Sequence, residues 1–319
     1  MPSLNKVRIE IERYNSMHHD LWNGFLAHAK NGLFIFDRNY MEYHSDRFED
    51  ASLLFLVDGS LVAIMPANIR GRTFESHGGL TFGGIISDNN MKTSLMLEIF
   101  DDLKNYLMSE GVESVIYKKI PYIYQSAPCD EDLYAIARFG GKLIRRDVTS
   151  AVDMSGKIAF DSNRIRSIKK AIKSGIEVKE SKEIPDFMKM VENVLSTRHR
   201  TVPTHSVDEM MLLASRFPFN IRLFGSFLNG EMIAGVLVYE NRQVAHAQYI
   251  ASSEVGRKVG ALDMIFDYLI NVKYKGKRYF DFGISTEDQG RYLNLGLIFQ
   301  KEGFGARSVV HDFYELRIQ

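Results

Sequence analysis

The sequence predicts a mixed α/β fold made of two fused copies of one unit, each a mixed, mostly antiparallel sheet flanked by helices. Three observations predict it. The chain has 319 residues, about twice the usual single-domain length. Two hairpin signals, Asp58-Gly59 and Asn229-Gly230, stand 171 residues apart between apolar runs. Each half also closes on a similar segment, Phe139-Gly140 through Asp147 and Phe304-Gly305 through Asp312, with the same spacing from Phe to Asp.

Taken in order, Leu53 to Val57 and Leu61 to Met65 read as the first hairpin, and Ile221 to Leu228 and Met232 to Tyr239 as its counterpart. A strand and then an amphipathic helix follow in each half, over Met91 to Glu110 and Gly260 to Lys275. Gly111 and Gly276 are placed to end these helices. The strand runs Ser114 to Ile120 and Arg278 to Phe282 come next. The expected domains are residues 1–156 and 157–319, divided where Ser155-Gly156-Lys157 interrupts the pattern.

Composition narrows the function classes. Apolar residues make up 45% and charged residues 25%, the balance of an ordinary folded protein. Forty basic residues balance forty acidic ones, so no global field draws the molecule to nucleic acid or an anionic surface, and polyanion contact needs a local patch. The single cysteine, Cys129, excludes an intrachain disulfide and a CxxC pair, and no Cys/His metal framework is expected. With no signal-like apolar segment and no run of 18 apolar residues, the expected location is cytoplasmic, without a membrane span.

In the second half, Gln248-Tyr249-Ile250-Ala251-Ser252-Ser253 leads to Gly256-Arg257-Lys258-Val259-Gly260-Ala261 and a long helix. This order resembles the GNAT N-acyltransferase superfamily, in which a loop of type (Q/R)-x-x-G-x-(G/A) opens a helix and holds the coenzyme A pyrophosphate. Arg257 and Gly260 match; Leu262 departs from the last position. The physics agrees, because a helix start offers unpaired N–H donors and glycine admits a phosphate to the backbone. With the duplication and Lys301-Glu302-Gly303-Phe304-Gly305, nearly the whole chain is similar to tandem GNAT-like proteins related to the Fem peptidyl transferases. The resemblance implies coenzyme A or acetyl-CoA as co-substrate, with Tyr249, Ile250, Arg257, Lys258, Val259, Gly260 and Ala261 around it. At the corresponding place the first copy has Ser87 to Lys92, with Asp88 and no glycine, and is expected to have lost the donor site and to shape the acceptor cleft.

Acyl transfer to an amine needs a base, a donor to the carbonyl oxygen and an acid for the leaving thiolate. His246 is the expected base or else a structural strand histidine, as His77 at the comparable place suggests. Strand alternation puts His246 and Tyr249 on opposite faces. Tyr292 is the expected acid and Asn294 a polar contact, both at the start of the last helix, and Lys301 is expected to neutralise a phosphate or polarise the carbonyl. The loop Arg198-His199-Arg200 through His205-Ser206 reads as acceptor-binding, with Ser206 and Glu209 also forming a capping box, and Asp281 and Ser285 are expected to touch the acceptor. Arg166, Lys169, Lys170 and Lys173 form one helix face, solvated or ligand-binding, opposite Ile165, Ile168 and Ile172.

The expected acceptor is a small amine, an amino sugar or sugar nucleotide of surface polysaccharide or cell-wall synthesis. Alternatives are a Fem-like aminoacyl-tRNA-dependent transferase and a noncatalytic binding module. Balanced charge and the lack of a charged heptad arm argue against tRNA.

Overall fold

The computed structural model describes residues 8–199 and 201–318, except the side chains of Arg198 and His199. The chain divides into two compact units, Met1–Asp147 with Val310–Gln319, and Val148–Val309. The division falls inside two strands, Lys142–Asp153 and Arg307–Arg317, so the turn at Ser155-Gly156-Lys157 lies within the second unit, and the C-terminal segment belongs to the first.

The first unit runs β1 (Ile9–Arg13), α1 (His19–His28), α2 (Arg38–Met41), β2 (Glu49–Asp50), β3 (Leu53–Val57), β4 (Ser60–Met65), β5 (Asn68–Arg70), β6 (Thr73–Glu75), β7 (Ile86–Ser87), α3 (Thr93–Ser109), β8 (Ser114–Lys118), α4 (Glu131–Arg138) and the start of β9 (Lys142–Asp153). Asp58 and Gly59 take the positive φ angles, 49° and 74°, that a two-residue hairpin needs. Helix α3 buries Met96, Ile99, Phe100, Leu103 and Leu107, at three- and four-residue spacing, against Phe55, Met65, Val115 and Tyr117. Its strands form two sheets. One has the order β1-β3-β4-β7, and in the other β6 pairs in parallel with β8.

Between β6 and β7 the chain stays bonded to β8. The Ser76 N–H reaches Ile116 O, the Lys118 N–H reaches Ser76 Oγ, and the Gly83 N–H reaches Lys118 O. The Lys118 ammonium donates to the carbonyls of His77, Gly78 and Leu80. His77 therefore sits in a turn with φ of 57°, where burial depresses its imidazole to about 3. It differs from His246 in setting, despite the parallel in sequence.

The second unit continues with α5 (Ser162–Lys173), β10 (Glu177–Ser181), α6 (Ile184–His199), α7 (Val207–Arg216), β11 (Ile221–Leu228), β12 (Glu231–Glu240), β13 (Val244–Ser252), α8 (Glu254–Val259), α9 (Ala261–Tyr268), β14 (Tyr279–Ile284), β15 (Thr286–Glu287), β16 (Tyr292–Leu293), α10 (Leu295–Glu302) and the first residues of β17 (Arg307–Arg317), whose remainder belongs to the first unit. Its sheet has the order β10-β11-β12-β13-β14-β9, antiparallel except for the β13–β14 pair. Ile265, Phe266, Phe280, Phe282 and Phe304 form the centre of its core.

Three sequence expectations change here. Residues 254–259 are a short helix and not a loop, because Ser253 caps it by accepting from the Gly256 N–H, and Gly260 ends it at φ of 83°. Only Ile168 of the three α5 isoleucines is buried; Ile165 and Ile172 lie at the edge of the Ile168–Ala171 face and are exposed. Tyr292 lies on β16 and not on the last helix, which begins after Asn294.

The C-terminal segment completes the first unit. Phe313 to Arg317 pair with Lys118 to Ser114, and Arg146 grips Asp312 through two hydrogen bonds of 2.6 and 2.7 Å. Truncation before Val310 should therefore strip protection from the amides of β8 while leaving β11 to β13 protected. Native-state hydrogen exchange checks this, and equal loss in both sets would contradict it.

Candidate active site

Strands β13 and β14 pair over only three residues, Val244 with Tyr279, Ala245 with Phe280 and His246 with Asp281, and then part. Two irregularities drive them apart. On β13 the register slips so that Leu237 faces Tyr249 but Val238 faces Ala247, which makes Gln248 an extra residue. On β14 the register slips between Asp281 and Ile284, where Gly283 takes a φ of 79°. Bulges bend a strand and re-aim its side chains. Because Tyr239 and Leu237 share a face of β12, their partners His246 and Tyr249 also share one, which corrects the alternation expected from spacing alone.

At the vertex of the parting strands stands a histidine–carboxylate pair. His246 Nδ1 lies 2.8 Å from Asp281 Oδ2, and the Asp281 carboxylate is fully buried. Its other oxygen accepts from the Thr149 hydroxyl and, at 3.0 Å, from the Gly283 N–H. An acceptor on Nδ1 fixes that nitrogen as the protonated one, so Nε2 carries the lone pair. A side chain at Gly283 would meet His246 Cε1 at 3.4 Å, so the glycine keeps one edge of the ring clear.

Lys301 secures the turn after β14. Its ammonium donates to Gly283 O at 2.7 Å, Ile284 O at 2.8 Å and Ser285 Oγ at 2.9 Å. Those three bonds use all its protons. Burial lowers it to about 8, against an opposing pull from Asp281.

Farther along β13 a cleft of about 560 Å³ opens, lined by Ile250, Ala251 and Ser252 of β13, Gly260 to Asp263 at the start of α9, Arg164 and Ser167 of α5, and Gly296, Phe299 and Gln300 of α10. No side chain caps the start of α9. Arg164 and Arg257 also line the cleft, against one carboxylate, Asp263, which Arg164 pairs at 2.7 Å. The lining charge is therefore net positive, which suits an anionic ligand. A second cleft of about 530 Å³ lies at Met188, Glu192 and Val202 to Glu209. His205 in it is buried, and its backbone N–H and Nδ1 lie 3.2 and 2.8 Å from the Tyr249 hydroxyl.

Residues 162–292 match the model of the GNAT acetyltransferase domain. The chain is similar in fold to FemX, with 12% identity, a TM-score of 0.67 and 97% of each chain covered. It is also similar to a tandem GNAT protein from the clavulanic acid biosynthesis pathway, at 11% identity, a TM-score of 0.51, and coverage of 98% of this chain and 99% of that one. This is a Fem-like tandem GNAT fold. The C-terminal domain of a putative lysylphosphatidylglycerol synthetase from Agrobacterium fabrum is similar too, at 15% identity, a TM-score of 0.55 and 80% of each chain. No curated protein sequence matches.

Within the GNAT fold, the residues expected at the donor fall into two groups. Ile250, Arg257, Gly260 and Ala261 line the larger cleft, joined by Leu262, the departure from the motif. Tyr249 instead reaches His205, and Lys258 and Val259 belong to α8 without lining the cleft. A side chain at Gly260 would run into Ser167, so this glycine serves helix packing as well. Asn294 caps α10 by accepting from the Leu297 N–H and donates to Glu287, and Tyr292 is exposed. Ser285 is buried and accepts from Lys301, and Asp281 contacts His246, so neither exposes its side chain to an acceptor. The acceptor contacts expected of the Arg198 and His199 side chains and of Arg200 fall outside the described residues.

Sequence reasoning missed Arg164, Ser167 and Phe299 at the cleft, and Thr149 behind Asp281. Arg164 carries the one available signal, as an arginine opening a helix behind the Asp161 cap. Among the described residues no group of three or more His, Cys, Asp or Glu side chains is placed to hold a metal.

The Lys301 shift sets a pH dependence. Its folded value lies below the ordinary 10.5, so between about pH 8 and 10.5 the unfolded chain binds more protons, and stability rises with pH there. Lys118 in the first unit, also lowered to about 8 by burial, adds a rise of the same sign. Lys301→Met should reduce the slope of thermal stability across that window and leave it unchanged below pH 7. An unaltered slope would mean that Lys301 is not the titrating group.

Proposed function

We propose that the chain is an N-acyltransferase that moves an acyl group, acetyl in the simplest case, from coenzyme A to the amine of a small acceptor. The acceptor class is an amino sugar or sugar nucleotide in surface polysaccharide or cell-wall synthesis. The observation that carries this reading is the His246–Asp281 pair at the point where β13 and β14 part, on the same strand whose later residues, Ile250 to Ser252, line a net positive cleft at the start of α9.

In this reading the thioester lies along β13, where the parted strand edge leaves backbone groups to receive it, and the diphosphate lies by Arg257 and the first turn of α9. His246 Nε2 takes the proton from the acceptor ammonium. The amine attacks the thioester carbonyl, the C–N bond forms, the C–S bond breaks, and the thiolate leaves with a proton for which Tyr292 is the proposed donor, while the second proton lost by the attacking nitrogen passes to solvent, from which Tyr292 is reprotonated. The cleft around His205 receives the acceptor. Asp281 holds the imidazole in its reactive tautomer and stabilises the imidazolium that forms, and Lys301 and Ser285 keep the turn beside it in place.

Thermal shift is the first test. Acetyl-CoA at about 100 times its Kd should stabilise the chain by roughly 2.7 kcal/mol through mass action. Arg257→Glu should remove that shift. Stabilisation by aminoacyl-tRNA and not by any acyl-CoA would replace this donor with the Fem-type one.

Once the acceptor is in hand, Asp281→Asn should lower kcat by about 10²- to 10⁴-fold, the range that general-base assistance supplies, with the acetyl-CoA affinity unchanged. A matching loss of donor affinity would show that the carboxylate serves binding and not the base.

A further inference from the structure

The cleft at the start of α9 holds an anion of its own. Asp263, in the first turn of α9, is buried in the cleft lining, and Arg164 of α5 donates to it through Nη1 at 2.7 Å. Burial raises the Asp263 carboxyl, and the neighbouring Arg164 opposes that rise without cancelling it. A carboxylate in the first turn of a helix draws on the same partial positive charge that a bound phosphate would use.

This pairing leaves the arginine short of partners. The Arg164 Nε–H is buried without a hydrogen-bond partner, and an unpaired buried donor costs free energy. The base of the side chain is fixed, because the Arg164 N–H bonds to the Asp161 cap at 2.7 Å and a side chain at Gly303 would meet Arg164 Cγ at 3.2 Å. The guanidinium, 5.6 Å from the centre of the Phe304 ring, is the part left to turn. Arg257, the other cation of the lining, is exposed and donates to the Ser252 carbonyl at 2.6 Å, which leaves most of its five N–H groups for a ligand.

We propose that Asp263 is a built-in competitor for Arg164, through which the cleft selects ligands with two adjacent anionic groups over single anions. The proposal rests on the reading of this cleft as the donor site and adds to it a means of discrimination. A lone phosphate can be met by Arg257 and the backbone of α9, but it competes poorly for Arg164 with a carboxylate that the fold already holds in place. A diphosphate held at one end by Arg257 presents its second group inside the same cleft, and Arg164 exchanges its single bond to Asp263 for paired contacts with that group. The exchange leaves Asp263 buried without its cation, so the second anionic group is needed to drive it.

Titration calorimetry of the full chain with inorganic phosphate, inorganic pyrophosphate and acetyl-CoA tests this. The unaltered chain should prefer pyrophosphate to phosphate. Asp263→Asn, which keeps the shape and removes the charge, should tighten pyrophosphate by about tenfold, within the usual range for coupling between two binding events. It should tighten phosphate by more, so that the preference narrows. In that background Arg164→Gln should undo the gain, since the released arginine is what the ligand contacts, and circular dichroism checks that both variants keep the fold. Equal affinity of the unaltered chain for phosphate and pyrophosphate, affinities that Asp263→Asn leaves unchanged, or a gain that survives Arg164→Gln would each overturn the proposal, as would no pyrophosphate binding by either form. If Asp263→Asn tightens pyrophosphate while neither form binds acetyl-CoA, the discrimination stands and the acyl-CoA donor falls. If acetyl-CoA binds both forms equally, the donor stands and the discrimination falls.

Discussion

The second unit turns on one buried carboxylate. Asp281 has no exposure to water, and an uncompensated charge there costs several kcal/mol, so the groups around it must be held where they can satisfy it. Thr149 from β9, the Gly283 N–H from the bulge of β14 and His246 from β13 all converge on its two oxygens. The three donors come from three adjacent strands, so the carboxylate fixes their relative register where β13 and β14 separate. The opening in the sheet and the orientation of the imidazole thus share one cause. Lys301 adds a second tie by drawing Gly283, Ile284 and Ser285 onto one ammonium.

The first unit shows what the same fold becomes without that arrangement. Its parallel pair β6–β8 also ends after three residues, but the chain from Ser76 to Gly83 remains bonded to β8, and Lys118 gathers three of its carbonyls. In the first unit the chain after the parallel pair thus stays tied to its neighbour, whereas β13 and β14 part after three residues. This is a stronger physical difference between the copies than Asp88, which sits in an exposed turn bonded to Asn90.

Much of the architecture was legible because it rests on local signals. Asp58-Gly59 and Asn229-Gly230 require positive φ wherever they occur, the α3 pattern demands one buried face, and Ser206 with Glu209 forms the capping box that their spacing promised. The site was less legible because its geometry depends on departures from regularity. A single extra residue at Gln248 reverses the side of the sheet on which Tyr249 projects, and no local composition marks that bulge. Asp281 and Lys301 read as substrate ligands from their place in the motif, yet burial decides that their charges are spent on the protein's own groups. The isoleucines of α5 looked like a second helix face, but a helix packed over Ile168 and Ala171 leaves the edges at Ile165 and Ile172 in solvent.

The central claim is that Asp281 holds His246 as the Nδ1-protonated tautomer with Nε2 basic. Nitrogen-15 NMR of the histidine-labelled chain, assigned through His246→Gln, measures this directly. The expected spectrum of the neutral ring has an Nδ1 resonance of the protonated type and an Nε2 resonance of the unprotonated type, with Asp281→Asn disturbing that preference. A dominant Nε2-protonated ring in the unaltered chain, or a tautomer indifferent to Asp281→Asn, would contradict it.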